Sequence, residues 1–230
     1  MKIISIPLIL LLSQCKEEKK PVFKPEYTET SSPQDGILPY FKSELMDPYW
    51  PEGNKYPADL RKFSDFTLTD HNGKIITEKD LSGNYKLLVF FYAKCKGICP
   101  MITRNIQNFL PRIEDKSNLQ IISITVNPEI DNPEMLRKFR EMYKIKEESW
   151  VFLTGSKNFI FDLARKQFGA EVKVLLGQND LTDFVHTENV YLIDRKNYLR
   201  GIYRAKGTGD LERLLVEMKT LRQEDFGKKL

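Results

Sequence analysis

Cysteine is scarce in this sequence, three residues in 230, and so are histidine and tryptophan at two each. Three cysteines cannot build a disulfide scaffold, and the odd count leaves at least one thiol with a task different from the others. Neither sign of charge dominates: 36 Lys and Arg face 32 Asp and Glu, for a formal net charge of +4. That excludes a polybasic arm, and no nucleic-acid partner is expected. The apolar run at the start is too short to span a bilayer as a stable helix, and no internal repeat is found. What is present, 41% hydrophobic and 30% charged residues, is enough for one sizeable core with a polar extension.

The chain opens with one lysine and an apolar stretch that stops at Leu12-Ser13-Gln14-Cys15. This is the grammar of an export signal. Its end resembles a bacterial lipobox, with Leu at minus three and a cysteine whose thiol takes the diacylglycerol, although Gln14 stands where a small residue is usual. Residues 1–14 are therefore expected to be a lipoprotein signal peptide and Cys15 the lipidation site. The mature protein is then an exported lipoprotein, anchored to a membrane and facing the periplasm or the cell exterior. Residues 15–58 are polar and carry Pro21, Pro25, Pro33, Pro39, Pro48, Pro51 and Pro57 without a period of 2 or 3.6, which reads as a tether. The cluster Tyr40, Phe41, Tyr49 and Trp50 is too aromatic for linker alone, so part of it is expected to pack on the domain.

Residues 59–225 read as that domain. Phe63 to Thr69 alternates into the turn signal Asp70-His71-Asn72-Gly73 and returns through Ile75 and Ile76, a hairpin. Lys86 to Tyr92 is a continuous apolar run of the kind found in strands buried on both faces. Ile102, Ile106, Phe109 and Leu110 then recur at helical spacing, followed by a strand at Ile121 to Val126 and a helix that Asn132-Pro133 opens. Trp150 to Leu153 is a strand, Ile160 to Phe168 a helix, Gly177 to Val185 a loop, Val190 to Ile193 and Leu199 to Tyr203 a strand pair, and Leu211 to Leu221 a closing helix. This order is an α/β fold on a mixed sheet, thioredoxin-like, with an added N-terminal β-hairpin.

The chemistry concentrates at Cys95-Lys96-Gly97-Ile98-Cys99-Pro100, between the buried strand and the helix that follows. Proline is tolerated in a first helical turn and disfavours helical backbone in the residue before it, so Cys99 is expected at the cap and Pro100 as the first helical residue. Both sulfurs then lie at the positive end of a helix, where the dipole, Lys94 and Lys96 favour thiolate. Three intervening residues allow a disulfide, and two thiolates can equally hold one soft metal ion. The plainer reading, two small buried hydrophobes, is set aside because an exported pair at a helix start does not stay unreacted. His71 reads as turn filler. His186 precedes the strand Val190 to Ile193, and in a thioredoxin-like topology the loop before that strand faces the cysteine helix.

At these residues the sequence resembles the Sco/SenC family, copper proteins that help build the CuA centre of cytochrome c oxidase. The likeness runs through Leu87 to Tyr92, Cys95, Cys99-Pro100, Ile124-Thr125-Val126-Asn127-Pro128, Leu153-Thr154-Gly155-Ser156, His186 and Tyr191-Leu192-Ile193-Asp194, in the family's order and spacing. It implies a copper-binding metallochaperone, with Cu(I) held by Cys95 and Cys99 and Cu(II) by Cys95, Cys99 and His186. Its implied partner is subunit II of cytochrome c oxidase or another copper-site client. Three departures stand out: Lys96-Gly97 where the family usually has proline and an acidic residue, Asn127 for an aspartate, and Val185 for an aspartate before the histidine. Two thiolates and an imidazole suit copper, whereas a closed structural zinc site wants a fourth ligand. The competing reading is a thiol-disulfide oxidoreductase, an enzyme in which Cys95 and Cys99 form the redox pair and keep a client's copper-site cysteines reduced. A peroxiredoxin-like peroxidase fits poorly, since Lys96 occupies the position where that family has threonine. A non-catalytic lipoprotein on a decayed fold is the remaining alternative.

Overall fold

In the computed structural model, which describes residues 35–53, 56–95, 97–176, 182–185, 188–207 and 209–226, the elements begin with β1 (Tyr40–Lys42), β2 (Asp47–Tyr49), β3 (Thr67–Asp70), β4 (Ile75–Thr77), α1 (Glu78–Leu81), β5 (Tyr85–Phe91) and α2 (Ile98–Phe109). They continue with β6 (Leu119–Thr125), α3 (Pro133–Met142), β7 (Trp150–Thr154), α4 (Lys157–Phe168), β8 (Lys173–Leu176), β9 (Thr182–Val185), β10 (Asn189–Ile193), β11 (Leu199–Arg204) and α5 (Gly209–Phe226). Seven strands form one sheet in the order β11-β10-β5-β6-β7-β3-β4. β5, β6 and β7 run parallel, while β10 and β11 on one side and β3 and β4 on the other are antiparallel additions. This is the mixed thioredoxin-like sheet with the hairpin β3–β4 in front.

β5 lies inside the sheet, between β10 and β6, and all seven of its residues are buried, as in a strand covered on both faces. Successive side chains point to opposite faces. Phe91 meets Phe139 of α3 at 5.1 Å and Phe152 at 5.3 Å, while Phe90 meets Phe168 of α4 at 5.6 Å and Tyr191 at 6.2 Å. The turn after β3 closes through the Gly73 N–H to the Asp70 carbonyl, and Asp70 Oδ1 accepts from the Asn72 and Lys74 amides.

Part of the segment read as tether packs on this domain. Leu38, Tyr40 and Trp50 are buried, and β1 pairs with β2 from Tyr40↔Tyr49 to Lys42↔Asp47. Met46, at the hairpin turn, packs where a Cβ on Gly169 would stand, and Gly169 ends α4 at φ +56, so both space and backbone require glycine there. One expected loop differs: Thr182–Val185 is a strand, paired with β8 from Lys173↔Val185 to Leu176↔Thr182. Among the described residues no helix is long and apolar enough to cross a membrane. Cys15 and His186 lie outside the described residues.

Candidate metal centre

β5 ends at Phe91, and the chain turns before α2 begins. The Cys95 amide donates to the Tyr92 carbonyl at 3.2 Å, which closes the turn, and the Gly97 amide donates to Cys95 Sγ at 3.4 Å. α2 starts at Ile98 with Gly97 at the cap, two residues earlier than the Cys99-Pro100 pattern predicts. The reason is that the first-turn amides of a helix have no intrahelical acceptor, so Pro100 sits in its third position without losing a hydrogen bond. Cys99 is thereby inside the first turn and faces the core at 1% exposure, whereas Cys95 is half-buried. The Thr103 hydroxyl donates to the Cys99 carbonyl at 2.9 Å one turn on.

The two cysteines are thiols within hydrogen-bond reach of each other. The bond that Cys99 donates to Cys95 pushes the Cys99 thiol up, burial pushes it further, and the Tyr92 amide opposes both. The expected thiolate preference therefore does not hold at Cys99, because burial and a sulfur neighbour outweigh the helix end. An asymmetric reaction follows. With limiting iodoacetamide and peptide mass spectrometry, Cys95 is expected to be labelled several-fold ahead of Cys99; Cys99 labelled first contradicts this.

Two groups whose role sequence reasoning missed bear on the pair, one through the turn before Cys95 and one through the field of the sulfurs. Asp131 is fully buried and accepts from the Ala93 amide at 2.8 Å and from Thr125 Oγ1 at 2.5 Å. Burial pushes its carboxyl up, against these two hydrogen bonds and the charge of Lys94. Tyr143 follows α3; burial raises its hydroxyl, Arg104 opposes, and Cys99 and Cys95 add to the rise. Asp131 had no local signal beyond its place before Asn132-Pro133, whereas Tyr143 shares the helical spacing of Leu136 and Phe139, which marks it for packing and not for a place beside the cysteines.

His71 lies on the turn after β3, three strands from β5. It is buried, its Nδ1 accepts from the Phe152 amide at 3.4 Å, and burial followed by Arg140 lowers its pKa. That is a structural histidine. Among the described residues no group of three or more His, Cys, Asp or Glu is arranged to hold a metal. The strand that follows His186 is nonetheless informative: β10 is antiparallel to β5 with Val190 opposite Val89, so β10 begins at the edge where β5 delivers the cysteines.

Fold and site define a thioredoxin-like domain carrying a CxxxC dithiol at a helix start. The SCO1/SenC family model matches residues 55–221, and the chain belongs to that family. It is 32% identical over 130 residues to the SCO1 protein homolog of Bacillus subtilis, covering 56% of this chain and 66% of that protein. A SCO1/SenC family lipoprotein from Bacillus anthracis superposes with a TM-score of 0.64 at 26% identity over 70% of this chain and 95% of its own. BsSco, a member of the Sco family of cytochrome c oxidase assembly proteins in which a disulfide switch is identified, gives 0.61 at 27%, covering 70% and 93%. The copper-bound ScoI of Bradyrhizobium japonicum gives 0.58 at 25%, covering 68% and 96%.

Proposed function

We propose that this protein is a copper carrier for assembly of the CuA centre of cytochrome c oxidase, with Cys95, Cys99 and His186 as the copper ligands and subunit II as the client. The observation that carries the reading is the thiol pair in hydrogen-bond reach at the start of α2, at the edge where β10 begins. Two sulfurs satisfy Cu(I), and an imidazole added to them suits Cu(II), which prefers nitrogen and a higher coordination number. A half-buried sulfur beside a buried one leaves the cargo reachable by a partner. The copper-bound relative, the oxidase-assembly description of BsSco and the lipoprotein relative support, in turn, cargo, client and an anchor through Cys15. Residues 1–14 are then the removed signal, 15–58 the reach from the membrane, and 59–225 the copper domain, with the packed hairpin β1–β2 shortening that reach.

The test uses His186→Ala. Cu(I) binding stays near wild type, while Cu(II) affinity falls at least the roughly 10-fold to 100-fold that changes around a metal's ligands cost. Titration of both oxidation states into the two proteins decides it; unchanged Cu(II) affinity removes His186 from the site and with it the three-ligand copper reading. A second reading rests on the unequal exposure of the thiols. Cys95 attacks a client disulfide, and Cys99 then displaces the client thiolate, so that two electrons and two protons pass to the client as the Cys95–Cys99 disulfide closes. In that case His186→Ala leaves the rate of reduction of an oxidised CuA-domain disulfide unchanged.

A further inference from the structure

We propose that Asp131 is the positioning residue of the dithiol site: its buried carboxylate holds the turn that presents Cys95 and so sets how the two sulfurs face each other. β5 has ended at Phe91, so the Ala93 amide has no strand partner, and Asp131 Oδ2 takes it at 2.8 Å. The same oxygen accepts from Thr125 Oγ1 at 2.5 Å, and that hydroxyl in turn accepts from the Asn127 amide at 3.0 Å. The Asp131 amide donates to the Asn127 carbonyl at 2.9 Å, and the Val126 amide to the Phe91 carbonyl at 2.8 Å. One carboxylate oxygen thus ties the end of β5, the end of β6 and the loop into α3 together, two residues before Cys95.

The other oxygen makes the case specific. Asp131 has 0% exposure, and among the described residues its Oδ1 has no hydrogen-bond partner. A buried carboxylate with half its acceptor capacity unused costs stability. Two donors converge on Oδ2, so the position wants an oxygen that only accepts, and a carboxylate supplies it with no donor of its own to satisfy. The bonds that Oδ2 does accept hold the turn that leads into Cys95.

The inference rests on Cys95 and Cys99 being the functional pair but not on copper, so its test is run without metal. The full chain, its Asp131→Asn and Asp131→Ala variants, and Thr125→Val are equilibrated with a glutathione redox buffer. Oxidation of the pair passes two electrons and two protons to glutathione disulfide, and the state of Cys95 and Cys99 is read peptide by peptide so that Cys15 does not enter. Asp131→Ala shifts the equilibrium constant at least about 10-fold and raises hydrogen exchange at the Ala93 amide, whereas Asp131→Asn, which keeps an acceptor, stays within about 3-fold on both. Thermal unfolding is followed alongside: Asn lowers stability yet keeps the redox equilibrium, which a purely structural role would not separate. Should Asp131→Ala fail to fold, Thr125→Val carries the test, since it removes one of the two bonds that fix Oδ2 and shifts both readouts in the same direction by about 5-fold, outside the band allowed to Asp131→Asn. Wild-type values in a folded Asp131→Ala protein, or in Thr125→Val, overturn the assignment. A copper carrier that fails to bind copper but shows these shifts leaves the positioning role standing.

Discussion

Replacing Arg200 with alanine lowers the unfolding free energy by about 3–5 kcal/mol, the usual cost of removing one partner from a buried charge cluster. Arg200 is 2% exposed. Its Nη1 lies 3.3 Å from Asp194 Oδ2 and its Nη2 2.6 Å from Glu224 Oε2, while Nε and Nη2 donate to the Pro39 and Leu38 carbonyls at 3.0 and 2.7 Å. The guanidinium also lies 4.0 Å from the Tyr40 ring centre. One side chain therefore joins β11, α5 and the lead into β1, and its loss takes from Glu224 and Asp194 the cation that both of them contact. Burial already pushes Asp194 and Glu224 up against the pull of Arg200. A carboxyl whose folded pKa is raised stabilises the fold below its unfolded pKa, about 4, and loses that contribution as the pH rises through the folded value. Without Arg200 both values rise further. The deficit of the variant is therefore largest at neutral pH and narrows as the pH falls and the two acids take up protons. Denaturant unfolding at pH 7 and pH 4.5 checks this, together with proteolysis before Tyr40, which is expected to accelerate. Equal deficits at the two pH values contradict the account.

How much of this was readable in the sequence depends on the range of the forces involved. β5 announces itself because seven buried residues in a row fit only a strand covered on both faces. The start of α3 is equally plain: Asn132 accepts from the Met135 amide at 2.9 Å and Pro133 opens the first turn, as the dipeptide predicts. β1 and β2 hide because Pro48 lies inside a three-residue strand, and proline is kept only in edge strands such as this two-stranded pair. β9 hides because it is only four residues long and lies at the end of the polar stretch from Gly177 to Val185, which reads as loop. At the site, Cys95 and Cys99 are visible because their spacing and the proline are local. Asp131 is not, since its two partners are at Ala93 and Thr125 and nothing in Asp131-Asn132-Pro133 says that the first residue turns inward while the second caps a helix. Arg200 is hidden for the same reason: a charge in a strand reads as solvent-facing until two acids and a pair of carbonyls are found around it.

Cys99→Ala is expected to abolish Cu(I) binding while leaving most of the fold's stability in place. Cys99 is buried in the core and lines, with Val89, Ile102, Thr103, Ile106, Ser123 and Trp150, a cavity no larger than one water. Removing a sulfur there costs about 1 kcal/mol, since the deleted volume is that of a small group. The remaining Cys95 thiolate offers copper a single soft ligand. Losing half of a two-sulfur site lowers Cu(I) affinity by more than the roughly 100-fold that removal of an outer supporting group can reach. Cys95→Ala is expected to lose copper to the same degree but almost no stability, because its sulfur is half-buried in the turn rather than in the core. Competition with a Cu(I) chelator and thermal unfolding of the metal-free proteins measure the two quantities separately. Should either variant hold Cu(I) as tightly as the wild type, the pair is not the copper site. If both lose copper, the difference in stability between them reports how deeply the first turn of α2 has drawn Cys99 into the core.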